Sequence, residues 1–305
     1  MLAVVTHPCM AVSLAGSRVS TQADRTARYM LAMERFARFV REGNKDPLAG
    51  RGAAAPDGWV IKDGGNTGAI GCGYYGKHLS TLPCKYMQAP PHLAFDRRSR
   101  KNMCATDVIA TSTTGGAFFA ELANLTKSAD ERSALLSEAE AAMQWTAGVV
   151  LPTGEIPYIL DGKTDTKTWP LDTIAYATEG VVGVDTYAPH ARPTLSKGFE
   201  STVRYLLATQ GTDGAWGTLR SPDQQRSPRV LTLLSWWLHS EARAGRADAK
   251  VSAAIEKYLA FLWKDAQNPA PTDYGVGGFS PKVLLHTTSF VGLAVAETLA
   301  YQVTF

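Results

Sequence analysis

Two carboxylates stand seven residues apart in Trp169-Pro170-Leu171-Asp172-Thr173-Ile174-Ala175-Tyr176-Ala177-Thr178-Glu179. On a helix that spacing returns Asp172 and Glu179 to one face, about two turns apart. A carboxyl near a rim and another deeper in a less polar setting have different proton affinities, as a base and an acid require. His286, in a second apolar stretch, adds an imidazole that titrates near neutrality. Asp172, Glu179 and His286 are therefore the candidate catalytic residues. The structural alternative stands beside this reading. Asp172 would complete a first helical turn against the helix dipole, Glu179 would pair with an arginine, and His286 would be a hydrogen-bonded core histidine.

Groups that could hold a substrate are spread more widely. Asp107, Trp169, Asp172, Asp223, Arg226, Arg229, Lys282 and His286 fall at or near the starts of apolar helical stretches. Helix N-termini collected at one rim would pool free N–H groups and partial positive charge. Tyr74, Tyr75, Trp169, Tyr176 and Trp236 could wall a cavity, either facing a carbocation or stacking on sugar rings. The candidate binding residues are Tyr74, Tyr75, Asp107, Trp169, Tyr176, Arg226, Arg229 and Trp236. Aromatic residues also dominate core packing, and Trp216 reads as a packing lock.

The elements that must position these groups are helices. Apolar periodicity predicts helices over 20–42, 105–126, 129–149, 170–186, 194–210, 228–244, 248–265 and 282–302. Ser128 with Glu131 three positions on has capping-box spacing. Pro170, Pro193, Pro228 and Pro281 sit where a first helical turn tolerates proline. Residues 67–82 read as a short helix carrying Tyr74 and Tyr75. The helices at 129–149, 194–210 and 248–265 have charged faces, whereas those at 105–126, 170–186, 228–244 and 282–302 are nearly apolar all round. The first kind belongs outside and the second inside.

A turn with glycine near an aromatic residue recurs between them: Pro56-Asp57-Gly58-Trp59, Pro152-Thr153-Gly154-Glu155-Ile156-Pro157-Tyr158, Thr212-Asp213-Gly214-Ala215-Trp216 and Tyr274-Gly275-Val276-Gly277-Gly278-Phe279. A spacing of about 60 residues between the last three is that of stacked supersecondary units. The expected fold is all-α: helical hairpins closing around an axis as an α/α toroid over 1–305. It would carry an N-terminal extension at 1–19 and an irregular Gly/Pro-rich insertion at 43–102.

Composition narrows the function classes. The chain has 305 residues, 45% of them hydrophobic and 19% charged, with a net charge of +3. That is enough apolar surface for a large core and too little charge to imply nucleic acid. The basic run Arg97-Arg98-Ser99-Arg100-Lys101 reads as a solvated loop or an anion-docking point. No stretch is apolar for the roughly 20 residues that cross a bilayer. Residues 1–16 lack the basic start of a secretory signal. Cys9, Cys72, Cys84 and Cys104 have no CxxC spacing, so no zinc ribbon is expected and an intracellular or organellar setting is favoured. Phosphate-loop, dinucleotide, GxSxG and HExxH signatures are missing, and no cofactor or metal is expected.

Arg204-Tyr205-Leu206-Leu207-Ala208-Thr209-Gln210 followed by Gly214-Ala215-Trp216 resembles the QW repeat of terpenoid cyclases. Gly277-Gly278-Phe279 followed by His286-Thr287-Thr288-Ser289-Phe290 resembles the last hairpin of protein prenyltransferase β subunits. The resemblance covers roughly 105–302 and implies an α/α toroid. It implies zinc at a histidine matching His286, yet Leu231-Thr232-Leu233-Leu234-Ser235-Trp236-Trp237 supplies no further ligand, and one imidazole does not hold Zn²⁺. The DxDD and aspartate-rich motifs of the cyclases are absent too. Three functions remain open, with the first as the main reading and the others as alternatives. The first is a terpenoid-cyclase-like enzyme acting on an apolar substrate in an aromatic cavity by acid catalysis. The second is a carbohydrate hydrolase or lyase with a toroid cleft. The third is a non-catalytic binding module or subunit of an assembly. Partners are then a small-molecule or glycan ligand in the central cleft, or other proteins, with no nucleic acid and no membrane span.

Overall fold

Local chemistry starts and stops the helices. A computed structural model describes residues 22–42, 60, 62, 67–70, 72–74, 103–104, 108–156, 170–217, 227–266 and 285–302. Its helices are α1 (Gln22–Glu42), α2 (Val108–Leu125), α3 (Ala129–Gly148), α4 (Pro170–Tyr187), α5 (Arg192–Gly198), α6 (Glu200–Thr209), α7 (Arg229–Arg243), α8 (Ala249–Phe261) and α9 (Leu285–Gln302). Ser128 Oγ accepts the Glu131 N–H at 3.3 Å, and Asp248 Oδ1 accepts the Lys250 N–H at 2.8 Å. Each satisfies a donor that the first turn of a helix leaves without a partner. Pro170 opens α4, and Pro228 occupies the position before α7. The fold class is all-α.

Burial separates two kinds of helix. Seven consecutive residues of α7, Val230 to Trp236, are buried, and α4 buries Leu171, Ile174, Ala175, Ala177, Val181 and Val184. In α3 and α8 burial recurs at helical spacing and charged residues face out. α4 packs on both α2 and α7, and α7 packs on α9. Behind this row, α3 packs on α2, α4 and α5, while α8 packs on α6 and α7. The described helices therefore form two layers, an inner row α2–α4–α7–α9 and an outer row α3–α5/α6–α8. α1 meets α2 through Phe36 and Phe118, with ring centroids 5.5 Å apart, and α3 through Arg41, which donates to Glu138 at 2.9 Å and to Glu131 at 2.7 Å.

The turns repeat as a physical device. Gly154 (φ 92°) and Gly214 (φ 93°) lie in the left-handed region, and both amides close on the residue three before, Leu151 at 2.8 Å and Gly211 at 2.9 Å. A Cβ at Gly154 would meet Ser201 O of α6 at 2.1 Å, and one at Gly214 would meet Lys257 O of α8 at 2.5 Å. Only glycine combines that φ with that backbone approach. Each turn thus docks on the outer helix of the hairpin that follows it. A third example is Gly68 (φ 94°), whose Cβ would meet Ala141 O of α3 at 2.7 Å. The sequence motif at 56–59 and the one at 274–279 lie outside the described residues. What recurs after the glycine is a buried apolar residue two positions on: Ile70, Ile156 and Trp216. Trp216 is a packing lock; its indole donates to Leu206 O at 2.7 Å and its ring meets Tyr258 at 5.1 Å.

Three expectations are corrected. The helix expected over 67–82 is instead the Gly68 turn followed by strand β1 (Cys72–Tyr74), antiparallel to β2 (Met103–Cys104). Glycines at 68, 71 and 73 disfavour a helix there. The helix expected over 194–210 is broken between α5 and α6 at Gly198, where a Cβ would meet the Ala147 Cβ of α3 at 2.5 Å. α9 is not apolar and enclosed all round. Val291, Ala294 and Thr298 are buried, but Leu293 is 41% exposed. As the last helix of the inner row, α9 packs extensively on α7 alone among the described elements.

Candidate functional site

Three inner helices meet at one level. The Thr178 hydroxyl of α4 reaches Arg229 O at 3.5 Å, and the Arg229 guanidinium of α7 donates to Glu297 of α9. Thr232 adds a hydrogen bond to the same Glu297 oxygen at 2.8 Å. Arg229 is 2% exposed. A buried cation at the positive end of α7 is doubly unfavourable, through lost hydration and the helix dipole. Glu297 is the charge that makes it tolerable.

Helical geometry places the neighbouring candidates. Thr178 faces α7, and a Cβ at Gly183 would meet Ala117 of α2 at 2.8 Å. Glu179 lies between those two directions around α4, on the side of the inner row between α2 and α7. It is half-buried, as is Tyr176 one turn before it. Asp172 lies on the same helix face by register, about 10 Å of helix from Glu179. Further along α4, burial and the Glu121 carboxylate of α2 raise the proton affinity of the Tyr187 phenol.

The remaining candidates divide. Trp236 is completely buried on α7. Tyr74 lies in strand β1 and His286 in the first turn of α9. Along α9, His286 is eleven residues from Glu297, about 16 Å of helix. Tyr75, Asp107, Trp169 and Arg226 lie outside the described residues. The structure thus brings Glu179 and Arg229 onto adjoining helices through Thr178.

A second polar cluster sits at the other end of the same helices. Arg192 grips the buried Asp185 through two bonds, Nε to Oδ1 at 2.6 Å and Nη2 to Oδ2 at 2.9 Å. Glu241 accepts from Ser196 Oγ at 2.6 Å and from Arg246 Nε at 2.7 Å. The Arg246 bond, helped by Ser196 and opposed by burial, holds the Glu241 carboxyl below its usual range. His239 faces Tyr301 with ring centroids 5.6 Å apart. Burial, then Arg192 and Arg243, lower the His239 pKa against the Tyr301 backbone and Asp185. Burial with Asp185 and Glu297 pushes the Tyr301 phenol up.

Sequence reading passed over Glu297, Thr232, Asp185, His239 and Tyr301. A usable signal existed for two of them. Glu297 is the one acidic residue of α9, and Asp185 closes an apolar helix, so each needs a partner once buried. Among the described residues no group of three or more His, Cys, Asp or Glu could hold a metal ion. None of their helices is long and apolar enough to cross a membrane.

No protein-family profile matches the chain, and no curated protein matches it in sequence. A solved polysaccharide lyase aligns in structure over 92% of this chain and 86% of its own length, with 13% identity and a TM-score of 0.46. At that level the likeness does not extend to activity.

Proposed function

We propose that this chain is a carbohydrate-active protein, a hydrolase or lyase, whose glycan cleft runs along the inner helices of an α/α toroid. The observation that carries this reading is the polar character of the level where α4, α7 and α9 meet: Thr178, Glu179, Arg229, Thr232 and Glu297. Of these, Glu179 is half-buried and the Glu297 side chain keeps 22% of its exposure, and carboxylates suit a polyhydroxylated ligand, which exchanges hydrogen bonds with them. The two carboxylates oppose a hydrocarbon, because covering them without new partners is costly. The terpenoid-cyclase-like alternative needs aromatic walls around an apolar cavity, and this level carries charged and hydroxyl groups instead. In the proposed cleft, Glu179 and Asp172 act as the carboxylate pair, with Tyr176 beside them to stack on a sugar ring.

The test is incubation of the purified chain with plant, algal and bacterial glycans. Product chromatography detects new reducing ends, and ultraviolet absorbance detects the double bond that a lyase leaves. Glu179→Gln is expected to abolish cleavage in a variant shown by circular dichroism to be folded. Cleavage at the wild-type rate would remove Glu179 from the mechanism, and no binding or cleavage of any glycan would sink the reading.

A specific observation favours a second reading, a non-catalytic subunit of an assembly. On α1, Tyr29 is 69% exposed and Phe36 55%, and both stand on one side of the helix, seven residues apart. Aromatic residues this exposed beside arginines are typical of protein contact surfaces. Sedimentation of the chain alone and with Phe36→Ser would test this: a wild-type monomer at all concentrations argues against self-assembly through α1.

A further inference from the structure

Arg229 and Trp236 share more than a helix. They are seven residues apart on α7, so their side chains leave the same face two turns apart. Both are buried, at 2% and 0% exposure. Each carries an N–H donor with no acceptor among the described residues, Arg229 Nε and Trp236 Nε1. Neither group can accept a hydrogen bond in its place. An unpaired buried donor loses its full hydration free energy, so two on one face call for an acceptor between the helices.

The direction of that face follows from the neighbours. Trp237 donates to Ser196 O of α5 at 3.1 Å, so the outer layer lies on its side of α7. Thr232 reaches Glu297 and Ser235 reaches Thr298 at 3.2 Å, so α9 lies on theirs. Trp236 and Arg229 project between these directions, where α4 approaches through Thr178. This is the side of the inner row on which Glu179 also lies. The hydroxyls of Thr178, Thr232 and Ser235 already have partners, so the two N–H groups are the open valences there.

We propose that Arg229 Nε–H and Trp236 Nε1–H form a sugar-binding subsite that takes acceptor oxygens of an uncharged saccharide. Glu297 already neutralises Arg229, so a uronate carboxylate would meet an occupied charge and a repelling neighbour. A sugar hydroxyl or ring oxygen meets only donors. This inference rests on the glycan reading and names its ligand class and its contacts.

The experiment uses the whole chain, wild type and Trp236→Phe, with Arg229→Lys as a second variant. The probes are cello-, xylo- and mannohexaose against tri- to hexagalacturonate, titrated by calorimetry and by the indole N–H resonances of ¹⁵N-labelled protein. Trp236→Phe keeps an aromatic ring, though a smaller one, and removes the donor. The unliganded variant is expected to melt lower, because the smaller ring leaves a void in a buried position, so binding is compared below that melting temperature. Its affinity for a neutral hexaose is expected to fall about two- to tenfold, the usual worth of one uncharged hydrogen bond. In wild type the Trp236 indole resonance should move on saturation. Equal affinity in wild type, Trp236→Phe and Arg229→Lys would overturn the subsite and leave the glycan reading standing. Tighter binding of the galacturonates would overturn the uncharged class. Failure of wild type to bind any saccharide would overturn both readings together.

Discussion

Replacing Glu297 by Gln tests how the inner helices are held at the level of the site. The substitution keeps the shape of the side chain and removes its charge, leaving the Arg229 guanidinium buried without a counter-ion. Arg229 is 2% exposed, so water cannot replace the lost carboxylate around it, while the Glu297 side chain keeps 22% of its exposure. Breaking one side of such a buried pair costs about 3–5 kcal/mol. The partial exposure of Glu297 puts this case near about 3 kcal/mol. Replacing both residues, as in Arg229→Met with Glu297→Gln, removes the stranded cation and should recover most of that loss. Urea unfolding followed by circular dichroism gives the free energies, with unchanged slopes required for the comparison. The reasoning is refuted if Glu297→Gln costs under about 1 kcal/mol, or if the double variant is as unstable as the single one.

The turn glycines supply a second test. Gly154→Ala should destabilise well beyond the about 1–2 kcal/mol of left-handed strain, because its Cβ would meet a backbone oxygen at 2.1 Å; Gly245→Ala, at φ 73° with nothing within 4 Å, should show the strain alone. Equal losses in urea unfolding would remove the close docking of the turn on α6 from the explanation. For pH, the lowered His239 pKa means that the unfolded chain takes up a proton below about pH 6.5 that the folded chain resists. Stability should therefore be insensitive to this group above pH 6.5 and fall as pH drops below it, by at most about 1.4 kcal/mol per unit. His239→Gln should flatten that segment of the curve, and an unchanged slope would show that His239 is not its source. Glu241 acts lower: its stabilisation by Arg246 and Ser196 is complete above the ordinary carboxylate range and is lost as pH falls from there through its depressed folded-state pKa.

How much of this was legible beforehand differs by level. The 3.6-residue periodicity of apolar side chains placed the described long helices to within a few residues, since each must bury a stripe. It also separated outer helices such as α3 and α8 from the inner α4 and α7, because charge on one face is incompatible with enclosure on all sides. Gly154 and Gly214 were readable as turns because few residues other than glycine tolerate a positive φ against a neighbouring backbone. The 67–82 segment misled, since tyrosines amid glycines fit a strand as well as an interrupted helix, and only pairing with Met103–Cys104 decides between them.

The candidate site was readable only in halves. Glu179, Arg229 and Trp236 stood out by residue type, but nothing in their spacing selects partners 50 to 70 positions away. Glu297 became the companion of Arg229 because α9 crosses α7 at that height, and Asp185 met Arg192 because the chain folds back after α4. Local order along the chain is set by short-range sterics and by which faces must leave water, and both are written in neighbouring residues. Which charges meet, and which N–H groups are left facing inward, depends on how separate helices slide and rotate against one another, and that is settled by packing across the whole fold.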